Sequence, residues 1–383
     1  MARVEGSCEP RFEVLADLLR GTIEDGSDLG ASVAVTIGGE LVVDLWGGWI
    51  DPGRTRPWGR DTITNVWSTS KTMTSLCALV LVERGLLDLH QRAAVYWPEL
   101  AVADKEDLEV RHLLAHTSGL SGWEQPVVVE DLYDRERSTA RLAAQAPWWE
   151  PGTASGYHAL TQGHLVGELV RRVDGRTLGR FFAEEIAGPL GADFHIGLDP
   201  AHDHRVAPVV PPADEPNAEP DLDPDSPRAK TVSGPAVAAE VAWTEGWRRA
   251  EIGAANGHGN ARSVALVQAV VANGGRLGDV TLVSPATIDH IFDEQFRGVD
   301  LVLGEVERFG IGYALADPEV RPDLPEGRIC YWGGWGGSQI VVDCDRRMTI
   351  AYVMNRMVSS SAGDTRGEAL VRATYAMSEA RTG

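Results

Sequence analysis

From residue 10 to 25 the apolar positions Phe12, Leu15, Leu18, Leu19 and Ile23 recur at helical spacing. Two strand-like runs follow, residues 31–37 and 41–50, separated by Gly38-Gly39, and together they predict a hairpin. A short run at 62–67 leads directly into Ser68. The signal then turns helical: 68–84 carries Met73, Leu76, Cys77, Val80 and Leu81 on one face and stops at Gly85. Further helices are predicted over 160–173, 178–186 and 261–273. Between them, residues 199–228 are rich in Pro, Asp and Glu, lack periodicity and read as a long surface loop or lid. Strands return at 308–315, 328–332, 338–344 and 348–354. The last is apolar almost throughout, as a central strand covered on both faces would be, and a helix over 366–377 follows. Strands at both ends around a helical middle predict an α/β domain built from residues 1–67 and 300–383, with an inserted, mainly helical domain over 68–299.

Charge narrows the partners. A net charge of −21 argues against nucleic acid, whose binding is driven by Lys and Arg displacing counterions, and against anionic membrane surfaces. No run approaches the roughly 20 apolar residues of a membrane span. The first eight residues hold no apolar stretch of the signal-peptide kind. Cys8, Cys77, Cys330 and Cys344 lack paired spacing and read as free thiols in a reducing compartment. The expectation is a cytoplasmic protein with no membrane partner; a homo-oligomer stays open.

Three segments carry chemistry. Ser68-Thr69-Ser70-Lys71 is an S-x-x-K tetrad at a helix start. Residues three apart share a helix face, so an amine can reach a hydroxyl one turn earlier and act as the base a serine nucleophile needs. The helix N-terminus favours developing negative charge. Lys71 can accept a proton only if burial or neighbouring cations lower its pKa. Ser70 is a competing nucleophile, but Met73 stands three residues after it. The second segment, residues 151–159, places Tyr157 on a loop before a helix, where its hydroxyl could relay a proton to a leaving group. The third, Tyr331-Trp332-Gly333-Gly334-Trp335-Gly336-Gly337-Ser338, has glycines that permit close backbone approach, as a strand edge supplying an oxyanion-hole N–H requires.

In this order the three segments resemble the β-lactamase-like serine hydrolase superfamily, above all family VIII carboxylesterases, relatives of class C β-lactamases and D-peptidases. The likeness extends over nearly the whole chain, through residues 112–120 (His-Leu-Leu-Ala-His-Thr-Ser-Gly-Leu) and Phe309-Gly310-Ile311-Gly312-Tyr313. It implies a β-lactamase/penicillin-binding-protein-like transpeptidase fold, an antiparallel sheet flanked by helices with an inserted helical domain. It also implies Ser68 as nucleophile, Lys71 as base, Tyr157 as the second-motif tyrosine, and the N–H groups of Ser68 and Trp335 as oxyanion hole. Two positions depart from the family. Its Y-x-N becomes Tyr157-His158-Ala159, and the Lys or His of its K-T-G becomes Trp332. Both changes turn the expectation from anionic lactams toward a neutral small-molecule ester.

The chain has 12 Trp, several of them near these segments. Trp332, Gly333, Gly334, Trp123, Trp148 and His158 are the expected substrate-binding residues, with Trp123 and Trp148 lining an apolar pocket. His112 and His116 read as structural residues of a helix end and turn. No G-x-S-x-G elbow or P-loop is present, and His202-Asp203-His204 lacks the companions of a metal site, so no cofactor and no metal are expected. Rival readings keep the same site and change the bond or acceptor: an amide or D-peptide hydrolase, an acyltransferase, or a weak β-lactamase. A non-catalytic binding protein is the rival from another class.

Overall fold

The computed structural model describes residues 3–212, 222–359 and 364–379. In chain order the strands are β1 (Val4–Cys8), β2 (Gly30–Ile37), β3 (Glu40–Gly48), β4 (Ile63–Asn65), β5 (Val206–Ala207), β6 (His258–Gly259), β7 (Arg276–Leu277) and β8 (Val280–Thr281). The C-terminal group is β9 (Phe296–Val299), β10 (Val306–Phe309), β11 (Ala314–Leu315), β12 (Ile329–Gly333), β13 (Gln339–Asp343) and β14 (Met348–Met354). Five longer helices are α1 (Glu13–Asp25), α2 (Ser70–Glu83), α3 (Thr161–Asp174), α4 (Ala261–Ala272) and α5 (Thr365–Glu379).

Among the described residues, the main sheet has the order β1-β3-β2-β14-β13-β12-β11-β10-β9 and is antiparallel throughout. The expected hairpin is β2–β3, turning on Gly38 and Gly39, both in the left-handed region where a side chain is strained. Strand alternation then assigns two faces. Ser32 accepts the Ala261 N–H at 3.1 Å and Thr349 donates to Ala265 O at 3.2 Å, so these residues face α4. Tyr352 points the other way, donating to Asp28 at 2.6 Å beneath α1 and α5. Both faces are covered, which is why every residue of β14 is buried.

Several expectations change in detail. The run read as one strand over 308–315 is two, β10 and β11, because Gly312 (φ +75°) turns the chain. Tyr313 in that turn is held by its hydroxyl, which donates to Thr72 O at 3.2 Å and Gln268 Oε1 at 3.0 Å. Helix α2 does not expose a polar face: Ser70 through Leu81 are all buried. Its polar side chains are satisfied internally, Thr74 donating to Gly253 O at 2.7 Å and Ser75 to Gly312 O at 3.1 Å. Residues 68–299 do not all stand apart from the sheet, since α4 packs on β2, β13 and β14, and β9 is the sheet's edge. The segment expected as a surface loop or lid is pinned at its start: β5 pairs in parallel with β4, and Val210 N–H donates to Asn355 O at 2.6 Å. Residues 213–221 of that segment lie outside the described residues. The four cysteines are free, and no described helix is long and apolar enough to cross a membrane.

Candidate active site

Strand β4 delivers the chain to Trp67, which takes a left-handed backbone (φ +47°), an unfavourable state for a bulky residue. Ser68 follows in the turn before α2, partly open to solvent, and its carbonyl accepts the Lys71 N–H at 3.0 Å. Lys71, on the first turn of α2, is completely buried. Its Nζ lies 3.0 Å from Ser68 Oγ, 2.8 Å from Ala159 O and 2.9 Å from Ala254 O. Burial holds the amine's pKa well below its ordinary value. A neutral amine has two N–H groups and one lone pair. The two carbonyls accept from Nζ, and the Ser68 hydroxyl lies at the third position around it, where a neutral amine would carry its lone pair. Ser70 is excluded from the same role: it donates to Trp67 O at 2.5 Å and accepts the Gly257 N–H at 2.8 Å.

Tyr157 sits above this pair. Lys71 Nζ is 4.8 Å from the centre of its ring, and the Ser68 and Trp332 side chains are the neighbours that favour ionisation of its phenol. Burial pushes the phenol up to about 12, with smaller contributions from the charges of Glu307 and Asp300. Trp332 stacks on Tyr157 (ring centres 6.1 Å) and on Phe309 (5.7 Å). The position of the family cation is thus an aromatic wall.

The glycine-rich segment after β12 is pressed onto the Ser68 turn. A Cβ on Gly334 would collide with Val66 O and Ser338 Oγ. Ser338 donates to Val66 O at 2.8 Å and shares a 3.0 Å hydrogen bond with Thr69. The Trp335 ring meets Trp67 edge-on at 4.9 Å. This clamp fixes the segment that carries Trp335 against the turn that carries Ser68.

The remaining predicted residues separate. Gly333 is exposed and Gly334 buried, both in the clamp. Trp148 is half-buried on the surface, its indole donating to Glu124 at 2.7 Å. Trp123 is corrected to a core residue: it is 1% exposed, donates to Ser138 O at 3.0 Å and packs edge-on against His164. His158 is also corrected. It is fully buried, with Nε2 bonded to Ser118 Oγ at 2.6 Å and Nδ1 to Gly156 O at 2.5 Å, leaving no ring nitrogen for a ligand. Burial holds its pKa down at about 3. His116, read from sequence as a turn residue, packs against the rings of Tyr157 (5.1 Å) and Trp332 (5.3 Å), and Trp67 packs on Trp247 (5.6 Å). Apolar pattern alone could not have singled these out. In the His202-Asp203-His204 segment, Asp203 is paired with Arg249, and no three described His, Cys, Asp or Glu are placed to hold a metal ion.

The sequence matches the Beta-lactamase family over residues 15–374. The fold is similar to that of a family VIII carboxylesterase, with TM-score 0.92 and 40% identity over 98% of this chain and 100% of the other. It is also similar to a penicillin-binding protein homolog from Caulobacter crescentus (TM-score 0.89, 39% identity, covering 98% and 100%). The esterase/beta-lactamase LipL of Mycobacterium tuberculosis is 33% identical over 93% of this chain and 84% of its own length.

Proposed function

Because this chain belongs to the Beta-lactamase family and has its antiparallel-sheet, penicillin-binding-protein-like fold, we propose that it is a carboxylesterase that works through an acyl-enzyme on Ser68. The observation that carries the reading is the buried Lys71 Nζ, 2.8 and 2.9 Å from two carbonyl oxygens and 3.0 Å from Ser68 Oγ. As a neutral amine it gives its two N–H groups to the carbonyls and turns its lone pair to Ser68. Ser68 Oγ attacks the ester carbonyl carbon as Lys71 takes its proton. The carbonyl oxygen becomes an oxyanion held by the Ser68 and Trp335 N–H groups. As the C–O bond breaks, Tyr157 gives its proton to the leaving alkoxide and is reprotonated from the Lys71 ammonium. A phenol pushed up to about 12 keeps the proton this step requires. Water then attacks the acyl carbon by the same relay and frees Ser68.

Ester preference is supported by Trp332 where the family pattern has a cation, and by the carboxylesterase and esterase/beta-lactamase among the similar proteins. The test is hydrolysis of p-nitrophenyl acetate and butyrate by wild type and Ser68→Ala, with a chromogenic cephalosporin alongside and fluorophosphonate labelling of Ser68. Ester turnover and labelling that both vanish in the mutant, with little cephalosporin cleavage, is the expected result. Dominant cephalosporin turnover would move the assignment to lactamase. An unreactive Ser68 in folded wild type would leave a binding protein.

A further inference from the structure

The Tyr157 loop is held by a carboxylate 143 residues further along the chain. Asp300 follows β9 at the tip of the β9–β10 hairpin and is completely buried. Its Oδ1 accepts the N–H groups of Tyr157 (3.0 Å), Val302 (2.8 Å) and Leu303 (2.9 Å). Its Oδ2 accepts the Ser155 hydroxyl at 2.6 Å. The main chain adds Leu301 N–H to Ser155 O at 2.8 Å. Shaping the hairpin turn needs only the Val302 and Leu303 donors. The other two come from the tyrosine loop, so this side chain joins the two segments. On the far side of the loop, His116 O accepts the Gly156 N–H at 3.0 Å and His116 Nδ1 accepts the His158 N–H at 3.1 Å. Gripped from both sides, the Tyr157 backbone has little freedom to move its phenol relative to Ser68.

We propose that Asp300 is a positioning residue of the hydrolytic site, holding the Tyr157 hydroxyl where it meets the leaving-group oxygen. The inference rests on the esterase reading above. It makes Asp300 act on one event, protonation of the departing alcohol, and that event matters in proportion to the basicity of the alkoxide. A p-nitrophenolate leaves without help, whereas a butoxide needs the proton. Loss of Asp300 therefore reads out as a change in leaving-group preference, which a general weakening of the fold would not produce.

The experiment compares butyl butyrate and p-nitrophenyl butyrate turnover in the full chain, for wild type, Asp300→Ala, Asp300→Asn, Ser155→Ala and Tyr157→Phe, each checked for folding by circular dichroism. Asp300→Ala is expected to lower kcat on butyl butyrate by about 10²-fold and on the p-nitrophenyl ester by less than about tenfold, with KM little changed. Asp300→Asn keeps an oxygen for the three N–H groups and an amide that can donate to Ser155, so it recovers most of the loss. In a Tyr157→Phe background, Asp300→Ala costs nothing further. Ser155→Ala shows the same preference change at smaller amplitude and serves if Asp300→Ala does not fold. Folded Asp300→Ala, or Ser155→Ala in its place, with the wild-type ratio of the two esters overturns the role of Asp300 alone, as does additivity with Tyr157→Phe. Wild type inactive on both esters removes the esterase reading and this proposal with it, whereas turnover untouched by Tyr157→Phe removes the proton relay through Tyr157 and with it the role of Asp300.

Discussion

Among the described residues Lys71 has no anionic partner within hydrogen-bonding distance, only two carbonyls and a serine hydroxyl around its amine, the surroundings that suit the proposed base. Lys71→Met keeps the volume and removes the lone pair. Single-turnover assays are expected to show acylation slowed by about 10²–10⁴-fold, with fluorophosphonate labelling of Ser68 slowed alongside. Because burial lowers the Lys71 pKa, the amine becomes a free base as pH rises through a value well below its ordinary one. Wild-type kcat/KM should therefore climb through an acid limb and already be level where an ordinary lysine is still protonated. Glu307 gives a second pH test, this time of stability. Burial, helped by Asp300 and Glu305, pushes its carboxyl up to about 8 from the usual 4.5. Between those values the folded chain keeps a proton that the unfolded chain has lost, so this residue's contribution to stability falls as pH rises. The Tm difference between Glu307→Gln and wild type should grow in the variant's favour from pH 5 to 8 and then level off. Ser68 and Lys71 could be paired in the sequence because a spacing of three carries their relation, and Tyr157 was joined to them by the family resemblance of its segment. Asp300 was not, since its link to Tyr157 crosses 143 residues and leaves no periodic trace.

At the scale of elements, the site is a junction of three: the β4–α2 turn, the loop before α3 and the segment after β12. The last of these is set by a close approach that only glycine allows. Gly334→Ala is expected to lower kcat by about 10²-fold with KM little affected, because the new methyl meets Val66 O and Ser338 Oγ and displaces the Trp335 N–H. Steady-state kinetics on p-nitrophenyl butyrate, with circular dichroism to confirm the fold, checks it; an unchanged kcat would remove Trp335 from the oxyanion hole. Glycine patterns also explain which elements could be read in advance. Gly38-Gly39 marks a hairpin between two alternating runs, and Gly85 ends a helix, each a local rule. The β10–β11 turn hides among apolar residues that look like continuous strand, because Tyr313 is anchored by Thr72 and Gln268, far away in sequence. Trp123 failed as a pocket residue for the converse reason. It stands near a motif along the chain, yet its indole is spent on Ser138 O in the core.

At the scale of the molecule, strands from both ends of the chain interleave in one sheet, and a single guanidinium ties those ends to the glycine segment. Arg366, on α5, donates from Nη1 to Ser27 O (2.7 Å), Asp28 Oδ1 (3.0 Å) and Arg356 O (3.1 Å). Its Nη2 donates to Gly336 O at 3.2 Å, and Nε to both oxygens of Asp364 at 2.9 Å. The side chain is 6% exposed, and Asp28, pushed up by burial, depends on it for a countercharge. Arg366→Met strands two buried carboxylates and should cost about 3–5 kcal/mol in urea unfolding. Lysine should not restore it, since one ammonium cannot span carbonyls and carboxylates lying on opposite sides of a planar fork. The same substitution also releases Gly336, the residue after Trp335. If the guanidinium sets the oxyanion segment, kcat at a temperature where the variant is fully folded should fall along with stability. If kcat holds while stability drops, the clamp of Ser338 on Val66 and Thr69 is sufficient by itself, and Arg366 serves only to close the two ends of the chain over the sheet.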